Sequence, residues 1–212
     1  MTIRIIPALL FALFIAAAGY AQDRMPPIPR EQLTEAQKKA VEEFRAARNA
    51  EVSGPFTPLL RSPEVLSRAR AMGDYLRFKS SLPPRLSEFA ILIAARQWTQ
   101  QYEWDAHYSL AMQAGLRPEI AAAVAEGRRP EKMAEDEDIL YTFLMELHRD
   151  QSVSDPTYAR MVGKFGEQGV IDALGIQGYY TLLAMVMNTA RTPLAAGKTP
   201  PLRPLLPGGS QK

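Results

Sequence analysis

The sequence predicts an all-α domain. Apolar residues recur at three- and four-residue intervals along most of the chain, and proline- or glycine-containing breaks separate those stretches. No segment shows the sustained apolar/polar alternation of strands joined by hairpin turns.

The first element is read as a signal peptide, residues 1–21. Arg4 is the only charge before Asp23, Ile5 to Ala18 is apolar and interrupted only by Pro7, and Gly19-Tyr20-Ala21 supplies small residues for cleavage before Gln22. The apolar run is shorter than the roughly 20 residues of a spanning helix, which argues against a retained anchor. The expected location is therefore periplasmic or secreted, without stable membrane insertion after cleavage.

Residues 22–191 are expected to form a single domain. After a proline-rich lead-in from Met25 to Pro29, Thr34 is placed to cap a helix ending near Ala50, with Leu33, Ala36, Ala40, Phe44 and Ala47 as its apolar stripe. Gly54-Pro55-Phe56-Thr57-Pro58 breaks it. Ser62-Pro63 is a cap followed by proline at the first helical position, and Val65, Leu66, Ala69, Met72 and Leu76 give that helix one buried face. Ser80 to Pro84 is the next break. Leu86 to Trp98 is apolar around most of its circumference, and a helix from Tyr102 to Ala114 closes at Gly115.

A short alanine-rich helix follows Arg117-Pro118-Glu119 and ends at Gly127, and the charged stretch from Arg128 to Asp138 is expected to be solvated. Ile139 to Leu147 resumes helical periodicity. Ser154-Asp155-Pro156 opens a helix reaching Phe165-Gly166, and Gly169 to Met187 forms a second nearly all-apolar helix. Residues 192–212 hold five prolines and three glycines and are expected to be a disordered tail. Two helices apolar on nearly every side are more than one domain of this size usually buries, which points to a homo-oligomer.

Composition excludes several functions. Without the leader's Arg4, 24 basic residues face 23 acidic ones, so the basic footprint of a nucleic-acid binder is missing. The chain has no cysteine, which removes disulfides, thiol chemistry and a lipid-modified cysteine anchor. Two histidines and scattered carboxylates show no metal-ligand constellation, and no cofactor motif is present. His148 lies at a helix end among charges, where interaction with the helix dipole is expected.

One constellation carries chemistry. Gln100, Glu103, Trp104 and His107 stand three and four apart, on one helical face, and Glu88 lies nineteen positions before His107. A carboxylate beside an imidazole orients the ring for proton transfer near neutral pH. By spacing alone, Glu103 and His107 are equally a surface ion pair worth a few tenths of a kcal/mol.

The segments Gly54-Pro55-Phe56, Leu59-Leu60-Arg61-Ser62-Pro63-Glu64, Leu82-Pro83-Pro84-Arg85-Leu86-Ser87-Glu88 and Gln101-Tyr102-Glu103-Trp104-Asp105-Ala106-His107 resemble the carboxymuconolactone decarboxylase family, which includes the alkylhydroperoxidase D-like (AhpD-like) proteins. The likeness runs from about Phe44 to Asn188 and includes Gly178-Tyr179-Tyr180-Thr181-Leu182. It implies an AhpD-like helical bundle, as a trimer or hexamer. In the peroxidase branch a glutamate precedes Cys-x-x-Cys-x-x-x-His. Here Glu88 and His107 match the outer residues, while the cysteine positions fall on Gln100 and Glu103, which cannot reduce a peroxide.

The resemblance thus implies a cofactor-free lyase of the lactone-decarboxylase type, without thiol peroxidase activity, acting on a small carboxylated lactone or related organic acid. By it, His107 is the proton donor or acceptor, Glu103 orients it and Glu88 is a relay carboxylate. Arg96 and Arg85 are candidates, by proximity in sequence, to hold the substrate carboxylate, with a structural salt bridge as the alternative role for each, and Gln100, Trp104 and Tyr179 are candidates to line the pocket. The alternative is a non-catalytic small-molecule-binding or scaffold oligomer on the same fold. A solvent-connected cavity holding His107 beside a carboxylate favours chemistry, whereas a His107 packed dry into a subunit contact favours the scaffold.

Overall fold

The computed structural model describes residues 22–205, so the expected signal peptide lies outside the described residues. The described residues are all-helical, without a strand. After a 3-10 turn at Arg30–Gln32 come α1 (Glu35–Arg48), α2 (Phe56–Leu59), α3 (Pro63–Phe78), α4 (Pro84–Gln97), α5 (Gln101–Gln113), α6 (Pro118–Ala125), α7 (Glu135–Asp150) and α8 (Asp155–Ala190). The helix starts follow local chemistry. At α1 the Thr34 hydroxyl accepts from the Gln37 amide while the Gln37 side chain accepts from the Thr34 amide. At α3, α4, α6 and α8 a proline occupies the first turn. The short α2 forms inside the segment read as a plain break.

The core is built around α4. Leu86 and every residue from Phe89 to Ala95 are buried, enclosed by α5, α6, α7 and α8. The all-round apolar character of this helix is therefore satisfied within one chain, and it no longer argues by itself for an oligomer. The helix α8 is kinked at Gly166, whose φ of 68° and ψ of 174° are comfortable only for glycine. That is where Phe165-Gly166 is expected to separate two helices. Although α8 is long and apolar enough to cross a bilayer, 56% of its most apolar window is buried in this fold.

Two further expectations change. The charged stretch 128–138 is not wholly solvated: α7 begins at Glu135, and Glu137 is buried, accepting from the Ala134 amide and pairing with Arg85. The tail is not disordered as far as residue 205. Leu202 is 2% exposed, and its backbone exchanges two hydrogen bonds with the Gln101 side chain, at 2.8 and 2.9 Å. Lys198 pairs with Asp105 at 2.6 Å. The prolines stiffen this segment as an extended strap, and one leucine is enough to anchor it.

A buried carboxylate sets the start of α4. Asp172 of α8 accepts from the Ser81 amide and hydroxyl, each at 2.7 Å, from the Tyr75 hydroxyl at 3.1 Å and from the Ser80 hydroxyl at 3.4 Å. Desolvation alone would raise its pKa, but these four donors outweigh it and hold the carboxyl below its usual range. The turn before α4 is thereby tied to α8, which fixes where Glu88 arrives.

Candidate active site

The pair α4 and α5 is joined by the tight turn Trp98-Thr99-Gln100, with Thr99 in the left-handed region at φ 46°. Arg96 braces this turn. Its guanidinium donates to the Thr99 hydroxyl at 2.7 Å, to the Ala125 carbonyl at 3.1 Å and to the Arg203 carbonyl at 2.9 Å. Gln100 caps α5, accepting from the Glu103 amide at 2.8 Å and donating to Asn188 at 3.3 Å. Neither residue lines the cleft beside His107. Arg96 and Gln100, expected to bind substrate, instead hold the turn and the strap. Arg85, the other candidate, pairs with Asp136 and Glu137.

Held in this register, α4 and α5 bring Glu88 and His107 together: Glu88 Oε2 lies 2.6 Å from His107 Nδ1. Glu88, not Glu103, therefore orients the imidazole. With Nδ1 committed to the carboxylate, Nε2 is the nitrogen left to exchange a proton.

Glu103 is 2% exposed, and neither of its carboxyl oxygens has a hydrogen-bond partner among the described residues. Burial, which disfavours the charged form, pushes its carboxyl well above the usual carboxylate range. Trp104 is also buried and stacks on Tyr108, with ring centroids 6.4 Å apart.

His107 lies on the wall of an open cleft of about 640 Å³, between α1, α3, α5 and α8. Tyr179, expected at the site, lines it, and so does Tyr180, whose ring meets the imidazole edge-on at 5.0 Å. Tyr179 and Tyr180 are themselves perpendicular at 5.1 Å. Burial raises both hydroxyls above their ordinary pKa, Tyr180 strongly, so both remain O–H donors at neutral pH. Gly73 makes room for this arrangement, since a Cβ there would collide with the Tyr179 hydroxyl.

Arg48, Asp74 and Arg77, which the sequence did not single out, line the same cleft. They lie some thirty to sixty positions from His107, and only the packing of α1 on α3 and of α3 on α8 brings them near. Among the described residues, no group of three His, Asp or Glu side chains is placed to hold a metal ion.

Residues 63–131, which carry α3 to α6 with both Glu88 and His107, match the sequence model of the carboxymuconolactone decarboxylase family. The fold is similar to that of an alkylhydroperoxidase AhpD core, an uncharacterized peroxidase-related protein from Ralstonia eutropha. The two are 15% identical with a TM-score of 0.65, over 83% of this chain and 94% of that one. It is also similar to an uncharacterized peroxidase-related protein from a Silicibacter species, at 12% identity and a TM-score of 0.63, over 83% and 94% of the two chains. No curated protein matches the chain. At these identities the structural likeness establishes the fold.

Proposed function

We propose, for a chain that belongs to the carboxymuconolactone decarboxylase family in its AhpD-like fold, that the His107 cleft houses a cofactor-free acid–base enzyme. Its substrate is a small carboxylated lactone or related organic acid. The observation carrying this reading is the 2.6 Å Glu88–His107 contact on the wall of a solvent-connected cleft.

Loss of carbon dioxide from a lactone acid whose carboxyl-bearing carbon is conjugated with the lactone carbonyl, directly or through a ring double bond, leaves the bonding electron pair delocalised into that carbonyl as an enolate. A protonated His107 delivers its Nε2 proton to that carbon, while Glu88 holds the ring and balances its charge. Tyr180, a neutral O–H donor on the same wall, serves the developing enolate oxygen. With no cysteine in the chain, no thiol peroxidase activity is expected. The same reading takes the chain as an exported homo-oligomer, supported by its apolar first residues and by the family resemblance.

The test is carbon dioxide release from a panel of lactone acids by the purified protein and its His107→Ala variant. Equal rates for the two proteins on every reacting substrate would remove His107 from the chemistry. Lactone-acid binding without turnover would favour the ligand-binding alternative.

A further inference from the structure

The charges around the cleft do not balance. Asp74 is shared by two arginines, Arg48 at 2.8 Å and Arg70 at 2.6 Å, and Glu51 is paired with Arg45. Arg77 and Lys79 line the same cleft, and neither has a salt-bridge partner among the described residues. The mouth therefore carries excess positive charge, which draws small anions toward His107.

The three cations that line the cleft differ in what they are free to do. Arg48 is fixed as part of the wall: its guanidinium lies over the Phe44 and Phe56 rings at 5.2 and 4.6 Å as well as bonding Asp74. Lys79 closes the end of α3 and offers a point charge without the planar fork that matches a carboxylate. Arg77 has that fork. Its guanidinium lies 5.3 Å from the exposed Phe78 ring and makes no side-chain hydrogen bond or ion pair among the described residues, close enough for its charge to act on the Tyr179 and Tyr180 hydroxyls beside His107.

We propose that Arg77 fixes the substrate carboxylate in the His107 cleft, so that the cleft selects small anionic lactones over neutral ones. This rests on reading the cleft as the substrate site. It differs from the sequence expectation, which put that role on Arg96 or Arg85.

The test is calorimetric titration with 5-oxotetrahydrofuran-2-carboxylate and with its primary amide, matched in shape and lacking the charge. Wild type should bind the carboxylate about tenfold or more tightly, as expected of a charge-assisted pair. Arg77→Gln should bring the two affinities together while leaving the amide's unchanged, and Arg77→Lys should fall between. His107→Ala should keep the wild-type preference.

No preference in wild type, a preference that persists in Arg77→Gln, or an equal loss of both ligands in that variant each overturns the assignment. A wild-type preference without turnover of any lactone acid would instead defeat the reaction proposed above and leave the anchor standing.

Discussion

Glu88 of α4 and His107 of α5 meet at 2.6 Å through Nδ1, although nineteen residues separate them. The carboxylate fixes both the tautomer and the aim of Nε2. Glu88→Gln keeps a hydrogen-bond acceptor of the same shape but removes the charge that balances the imidazolium. Turnover number should fall about 10²- to 10⁴-fold on any substrate that wild type converts, with the fold intact by circular dichroism. An unchanged turnover number would show that the pair does not take part in the reaction.

Glu103 behaves oppositely to a paired acid. Its folded pKa lies well above the unfolded value of about 4.3, because burial disfavours the charged form. Its contribution to stability is fully present below the unfolded pKa and is lost as pH rises toward the folded pKa. Glu103→Gln should therefore unfold at higher urea concentration than wild type at pH 7, and the advantage should vanish below about pH 4. If the variant gains stability and loses turnover, Glu103 is held for function. If it gains stability with turnover unchanged, the buried carboxyl is not part of the chemistry.

The Asp172 cluster works the other way. Its carboxyl is held below the unfolded value of about 3.9 by the Ser81, Tyr75 and Ser80 donors, which outweigh desolvation. That stabilisation is present above the unfolded pKa and is lost as pH falls through the folded value. Asp172→Asn should cost about 2 kcal/mol at pH 7, a difference that shrinks below about pH 4. Urea unfolding at pH 7 and pH 3 measures both halves. A difference that stays constant with pH would mean that the carboxylate charge is not what ties the turn before α4 to α8.

Helix positions were largely legible in the sequence because their signals are local: Thr34 with Gln37, proline after Ser62 and Ser154, and glycine at 115 and 166. The Glu88-to-His107 spacing also survived, since both residues sit on consecutive helices joined by a three-residue turn. What spacing misassigned was the partner of His107. Glu103 lies on the same helix face and looked like the natural neighbour, but α4 supplies the carboxylate. Arg96 misled for a related reason: its position inside an apolar helix marks burial, and burial here means satisfying the carbonyls of Ala125 and Arg203. Arg77 carried no sequence signal at all, because its approach to the cleft depends on how α3 packs against α8.

The tail is where composition misled most. Proline- and glycine-rich sequence usually lacks the apolar surface needed to offset ordering entropy, yet Leu202 concentrates that surface in one side chain. Leu202→Ala should cost about 2–4 kcal/mol if the strap remains docked. The loss cannot exceed the free energy of docking the strap, because beyond that point the segment peels away and the rest of the domain persists. Detachment would also strip Arg96 of the Arg203 carbonyl and break the Gln101 exchange. The measurements are the urea midpoint and limited trypsin cleavage at Lys198, which precedes Thr199. The variant should be cut faster than wild type and should unfold at lower urea, whereas an unchanged cleavage rate and midpoint would mean that the strap contributes nothing to holding the α4–α5 turn.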